Sequence, residues 1–180
     1  MAMRTLATVD DLLRLTRAGE SYELVDGELV KMAPTGLGHG RLELKIGRSL
    51  DDHVQERQLG VVVVGEVLFR LDPAGRLARA ADVAFIRAER VPPDGQDEDV
   101  FEGAPDLVVE IVSPGDSADD VQRKVDDWLT HGTQIVVLVY PRFRRVILWR
   151  HGGAVPLRGN DDIRLDPVLP DFRCKVSDFF

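Results

Sequence analysis

Two acids stand where acids are expensive. Glu110 lies in the run Leu107 to Val112, whose other five members are Leu, Val or Ile. Apolar residues on both alternating faces mark a strand that is covered on both sides. Asp82 repeats the pattern in Ala80 to Ile86, one acid among small and apolar neighbours. An unpaired carboxylate in such a strand loses hydration worth several kcal/mol or shifts its pKa and stays neutral. With the two strands adjacent and the acids ~4 Å apart, their repulsion reaches about 4 kcal/mol at an effective dielectric constant of roughly 20. A divalent cation, a nearby lysine or a shared proton each relieves it. Oxygen ligands, with one cysteine in the chain and no histidine cluster, point to Mg²⁺ or Mn²⁺ rather than zinc. The plainer alternative for each acid taken alone is an Arg partner or a helix cap.

Lys124 is the candidate third member. The spacing predicts a helix over Ser117 to Thr130 whose stripe Val121, Val125, Trp128 and Leu129 faces the sheet. Lys124 falls at the margin of that stripe and Arg123 nearly opposite, so the Lys124 ammonium can reach inward. Beside acids that hold a metal, a lysine orients or deprotonates water and offsets charge growing on a phosphorane. The competing arrangement is an exposed i,i+4 pair with Asp120, worth only about 0.3 kcal/mol.

The elements that must position these groups are legible in outline. Thr8, with Asp11 three residues on, caps a short amphipathic helix that ends by Gly19. Tyr22 to Lys31 carries Asp26-Gly27 between two alternating runs, the pattern of a tight hairpin. Leu42, Ile46, Leu50 and Val54 recur every fourth residue, giving a helix from about His39 to Gln58. Strands follow over Leu59 to Leu71, with Val61 to Val64 buried on both sides, and over Ala80 to Arg87, Leu107 to Val112, Ile135 to Tyr140 and Arg145 to Arg150. This order predicts an α/β (α+β) domain, a mixed β-sheet flanked by helices, with an N-terminal helix and β-hairpin.

At 180 residues and 20.0 kDa, with 44% hydrophobic and 30% charged residues, the chain has the composition of one ordinary soluble domain, residues 1–180. Folding at this length buries roughly 70% of the unfolded surface, enough for one core without staples. No apolar run reaches the length of a membrane span, and the first twenty residues lack a signal peptide's hydrophobic stretch, so a cytoplasmic protein is expected. The single cysteine, Cys174, removes internal disulfides and zinc ribbons from consideration.

The net charge of -8 argues against coating nucleic acid by bulk electrostatics. Much of the excess lies in Arg87 to Ala104, a loop long enough to have a function, where Glu89, Asp94, Asp97, Glu98, Asp99 and Glu102 face Arg87 and Arg90. Pro141 to Arg150 carries Arg142, Arg144, Arg145 and Arg150 and no acid. That strip either meets phosphates or is a solvated hairpin edge.

Tyr22 to Val30, His39 opening a helix, Asp82 to Ile86, Pro105 to Pro114, Lys124 and the ending Leu169 to Phe180 together resemble the Uma-two family of restriction endonucleases, within the PD-(D/E)XK nuclease superfamily. The resemblance implies a restriction-endonuclease-like core, Mg²⁺ and hydrolysis of phosphodiester bonds in DNA. By position, Asp82 matches the family's first metal-binding acid and Glu110 the acid of its second motif. Val112 stands where the superfamily pattern has lysine, and the resemblance moves that lysine to Lys124 on the following helix. Pro105-Asp106 spells the superfamily dipeptide but begins the Glu110 strand, and is read as a decoy. Ala81 replaces the proline before the first acid, and Tyr140 replaces an aspartate before the next strand's proline. Glu23 and His39 match further positions near the site: Glu23 as a supporting or additional metal acid, His39 as a group holding a phosphate or a ligand. On their residues alone, Glu23 fits an exposed hairpin position and His39 a helix start. His53, His131 and His151 show no partner spacing and read as surface residues.

The leading expectation is thus an Mg²⁺-dependent endonuclease with Asp82, Glu110 and Lys124 at its centre, and Glu23 and His39 beside them. A catalytically silent nuclease-fold module that binds nucleic acid or a protein partner is the alternative, motivated by the negative charge and the missing in-strand lysine. A metal-free hydrolase using the two acids as an acid/base pair is a third. Cutting both strands of DNA needs two sites, which makes a homodimer an expectation.

Overall fold

The computed structural model describes residues 6–92 and 99–180. The acids Asp94, Asp97 and Glu98 of the predicted loop lie outside them. Helix α1, Val9–Arg17, opens on Thr8, whose side chain accepts from the Asp11 N–H while the Asp11 carboxylate accepts from the Thr8 N–H. Strands β1, Tyr22–Val25, and β2, Glu28–Lys31, form the hairpin. Its turn requires positive φ at both central positions, 51° at Asp26 and 78° at Gly27. Helix α2, Leu37–Arg57, begins two residues before the predicted start and buries Ile46, Leu50 and Val54. Then come β3, Gly60–Arg70; β4, Ala78–Arg87; β5, Phe101–Glu102; and β6, Leu107–Ile111. Helix α3, Ala118–Thr130, carries the chain across to β7, Ile135–Tyr140, which pairs in parallel with β6. Strands β8, Arg145–Arg150, β9, Gly153–Arg158, β10, Asp162–Arg164, and β11, Arg173–Lys175, complete the chain.

The main sheet runs β2-β1-β4-β6-β7-β8-β9, with β3 paired to both β4 and β5. One face packs on α2 and on a C-terminal segment supplying Ile163, Leu165, Leu169, Phe172 and Phe179. The other packs on α3 through Val125 and Trp128, and α1 closes the hairpin end over Leu24 and Ala80. No helix among the described residues is long and apolar enough to cross a membrane. Cys174 is half-buried, and burial together with Asp178 and Asp162 pushes its thiol up to about 12, so it is not a nucleophile at neutral pH.

Two expectations change. Val61 to Val64 are not buried on both sides: all four are partly or largely exposed, Val64 at 46%. The two-residue β5 covers only Phe69 and Arg70 of β3, so the first half of β3 is a sheet edge. The basic strip is not an edge, because β9 pairs along the whole of β8. Strand β9 carries Pro156, which breaks strand patterning in the sequence and is tolerated because β9 is itself the edge.

The turn between α2 and β3 depends on Gly60, whose φ is 151° and whose added Cβ would overlap the Ile86 carbonyl oxygen. Gly60→Ala is expected to lower stability by about 1–3 kcal/mol, read as a lower urea midpoint at unchanged m. Gly40→Ala, in the open interior of α2, should be neutral or stabilise by about 0.5–1 kcal/mol.

Candidate active site

Strand β4 is shared between two partners on one edge. The hairpin takes it at Ala78, opposite Leu24, and β6 takes it from Val83 onward, opposite Val109. Between these points the edge is open, and backbone donors there must find other acceptors. Side-chain carboxylates supply them. The Ala80 N–H donates to Glu23 Oε1 at 2.9 Å, and the Ile111 N–H donates to Asp82 Oδ2 at 2.6 Å. Asp82 and Glu110 stand one step beyond the last β4–β6 pair, opposite each other across the fork. Both are buried, as are Glu23 and Arg79.

Helix α3 lies over the fork and closes it with three side chains. The Lys124 ammonium sits 2.9 Å from Glu110 Oε2 and 3.1 Å from Glu23 Oε1. Its i,i+4 neighbour Trp128 donates its indole N–H to Glu110 Oε1 at 2.8 Å, so both oxygens of Glu110 are engaged. Asp127 accepts from Arg79 at 2.8 Å and 2.5 Å, while Arg79 Nη1 donates to Glu23 Oε2 at 2.7 Å. The alternative partner of Lys124, Asp120, is occupied by the Ser117 hydroxyl at 2.6 Å. From α2, His39 Nε2 reaches to 3.2 Å from Asp82 Oδ1, at an angle outside hydrogen-bond geometry, and Nδ1 lies 3.4 Å from the Ser113 hydroxyl. The five residues singled out from the sequence thus converge on one place.

The protonation equilibria follow from this packing. Burial pushes the Glu110 carboxyl up to about 8; Lys124 opposes the rise, and Asp82 and Glu23 add to it. Burial also raises Glu23, but Lys124, Arg79 and the Ala80 N–H outweigh it, holding that carboxyl below its usual range. Burial lowers Lys124, yet Glu110, Glu23 and Asp82 together raise it well above an ordinary lysine, so it stays an ammonium. The Asp82 contact raises the His39 imidazole against the effect of partial burial.

Four carboxyl groups, Glu23, Asp82, Glu110 and Asp127, therefore face two permanent cations, Arg79 and Lys124, and Glu110 keeps its proton up to about pH 8. The surplus is negative, and the Asp82–Glu110 side carries it, since Glu23 and Asp127 are tied to Arg79. Among the described residues no group of three or more His, Cys, Asp and Glu side chains is arranged to hold a metal ion. Two carboxylates with water and substrate oxygens suffice for Mg²⁺, and a hard all-oxygen pair in negative surplus fits that ion. A cleft of about 710 Å³ opens over the fork, lined by Asp82, Glu110, Lys124, His39 and Glu66.

The sequence reading missed Arg79, Asp127 and Trp128. Arg79 had the same signal as Asp82, a charge among small apolar residues of one strand. Trp128 was assigned to the apolar stripe, where its ring does pack, but its N–H is what reaches Glu110. Asp106 lies at the other end of β6, where it accepts from the Arg87 N–H and from Arg90, both at 3.0 Å, a structural role that fits a decoy. His53 contacts the Pro170 carbonyl at 2.9 Å and His131 the Asp127 carbonyl at 2.7 Å; neither they nor His151 line the cleft.

Comparison with known proteins bears on the family and the fold. The sequence matches the Uma2 family, described as "Putative restriction endonuclease", over residues 9–177. No curated protein sequence matches. Among solved structures, a chain from Anabaena variabilis titled as a "putative nuclease belonging to DUF820" superposes with a TM-score of 0.83 at 20% identity, covering 96% of this chain and 97% of that one. At that identity the likeness establishes a shared fold, with α3 packed over a forked mixed sheet in this chain. Since the family match spans nearly its whole length, this chain belongs to the Uma2 restriction-endonuclease family.

Proposed function

We propose that the chain is a Mg²⁺-dependent endonuclease that hydrolyses phosphodiester bonds in DNA at the fork of its sheet. The observation that carries this reading is the Lys124 ammonium 2.9 Å from Glu110, with Asp82 buried across the fork and bonded to the Ile111 N–H, in a chain of this family. Asp82 and Glu110 would hold the cation, which when bound polarises a phosphoryl oxygen and makes water nucleophilic near neutral pH.

The chain's own groups do the rest. Lys124 is held as a cation by Glu110 and Glu23, so its part is to orient water and balance charge growing on the phosphorane, not to remove a proton. Glu23, whose oxygens accept from Lys124, Arg79 and the Ala80 N–H, fixes that ammonium from the side away from Glu110. Trp128 fixes one Glu110 oxygen, leaving the carboxylate a single rotation state over the cleft. His39 stands beside Asp82, where a protonated ring can hold a phosphate oxygen. The silent-module alternative rested on the negative net charge and the missing in-strand lysine, and the Lys124 ammonium from α3 beside Glu110 weighs against the second of these.

Plasmid cleavage tests the reading. Mg²⁺ or Mn²⁺ should support nicking and EDTA abolish it. Asp82→Asn, Glu110→Gln and Lys124→Met should each reduce the rate by at least about a hundredfold; undiminished activity in any of them defeats the assignment, and salt-dependent DNA binding without turnover favours the silent module. Glu23→Ala, which leaves Arg79 and Lys124 short of an anion in a buried setting, should cost about 3–5 kcal/mol in urea denaturation.

The raised Glu110 carboxyl sets a pH dependence. Its native pKa of about 8 exceeds the ordinary 4.5, so between those values the folded chain holds a proton the unfolded chain has lost. In EDTA this group makes stability fall as pH rises through that window. An ion must displace the same proton, so the rise in Tm on adding Mn²⁺ should be larger at about pH 8.5, above the native pKa, than at about pH 6, inside the window. An increment independent of pH would contradict Glu110 as a ligand.

A further inference from the structure

The basic run from Pro141 is a sequence feature that the fork does not use. Its start borders a second cavity, of about 460 Å³, walled by Leu42, Ile111, Val121, Tyr140 and Phe143. That volume falls within the range of small-molecule sites, roughly 300–1,000 Å³. The cavity is continuous with the catalytic cleft, since His39, Ile111, Val112 and Ser113 line both. Its walls are mainly apolar, yet the Phe143 ring at its mouth is left 66% exposed. Arg142 lines the same mouth. Of the strip's other arginines, none of which lines the cavity, Arg144 lies over the Phe180 ring at 5.2 Å, Arg150 donates to the Arg164 carbonyl at 3.0 Å, and Arg145 is exposed on β8. Arg142 has no ion-pair partner among the described residues, in a chain whose net charge is -8.

An apolar ligand alone accounts for the walls but not for an unpaired guanidinium at the entrance. A planar aromatic group attached to a phosphate accounts for both, and the continuity with the fork says which one. We propose that this cavity receives one unstacked nucleobase of the strand being cut, next to the phosphate at Asp82 and Glu110, with Phe143 as its stacking face and Arg142 on the adjoining phosphate. A base paired within a duplex cannot enter a walled cavity. The substrate class is therefore DNA that is single-stranded, frayed or otherwise unpaired at the cut. This inference rests on the nuclease reading and narrows its substrate.

The test is binding of a short single-stranded oligodeoxythymidine carrying one 2-aminopurine to the full chain, with Ca²⁺ in place of Mg²⁺. The expected result is a change in 2-aminopurine fluorescence on binding, weaker binding to the matched duplex, and about a tenfold loss of single-strand affinity in Phe143→Ala that Phe143→Trp restores. Phe143 is largely exposed, so its replacement leaves the fold intact. Equal single-strand affinity of the wild type and Phe143→Ala, or tighter binding of the intact duplex with no fluorescence change, overturns the proposal. Plasmid cleavage by the wild type is read separately. A chain that nicks the plasmid but ignores Phe143 keeps the nuclease function and loses the base pocket. One that holds the oligonucleotide through Phe143 yet cuts nothing in Mg²⁺ or Mn²⁺ keeps the pocket and loses the nuclease reading.

Discussion

The Lys124 ammonium, held between Glu110 and Glu23 over the open edge of β4, is the contact on which the rest of the arrangement depends. At the 3.1 Å that separates it from the ionised Glu23, and an effective dielectric constant of roughly 20, the pair attracts by about 5 kcal/mol. Removing each ion from water costs several kcal/mol, so the pair comes close to breaking even. A well-packed apolar replacement would serve stability as well. The network is intolerant of losing one member, because each remaining ion would be buried without its partner. That asymmetry explains why the fork is so fully cross-tied: Glu23 also accepts from Arg79 and the Ala80 N–H, Arg79 also donates to Asp127, and Glu110 also accepts from Trp128.

The fork is a consequence of topology. A strand in mid-sheet normally has its backbone groups satisfied along both edges. β4 changes partners from β1 to β6 along one edge, leaving a gap between Ala78 and Val83. Carboxylates act as acceptors across that gap, Glu23 of β1 for the Ala80 N–H and Asp82 of β4 for the Ile111 N–H, which is how acids come to stand inside a dry sheet. The parallel β6–β7 pair then requires a crossover, and the crossover helix α3 is what lays Lys124, Asp127 and Trp128 over the gap. Sheet order and site chemistry are the same fact seen at two scales.

Local patterning carried much of this into the sequence. Asp26-Gly27 fixed the hairpin because both residues need positive φ, and the stripe Val121, Val125, Trp128 fixed the buried face of α3. Asp82 and Glu110 were visible because an acid inside an apolar strand has no ordinary explanation. Glu23 was not decided, since a hairpin residue looks the same whether its outer face meets water or, as here, Arg79 and Lys124. That distinction lives in which strand β1 pairs with and where α3 lands, and neither is written in local spacing. The same limit hid β9 behind Pro156 and hid the C-terminal segment, whose Ile163, Leu165, Leu169, Phe172 and Phe179 complete the core under α2 only through long-range packing.

An acidic chain that works on a polyanion needs its charge sorted in space. At physiological salt, exposed charges are screened beyond about 8 Å, so the sign around the cleft matters more than the sum of -8. Several surplus acids are neutralised where they stand: Asp99 by Arg17 at 2.5 Å, Glu102 by Arg70 at 3.4 Å, and Asp106 by Arg87 at 3.3 Å and Arg90 at 3.0 Å. Arg142, at the mouth of the cavity beside the fork, is left without such a partner among the described residues. In the proposed reaction the carboxylate surplus inside the fork has the opposite use: it would repel bare phosphate until a divalent cation neutralised it, which would make cation and substrate binding mutually dependent by elementary electrostatics.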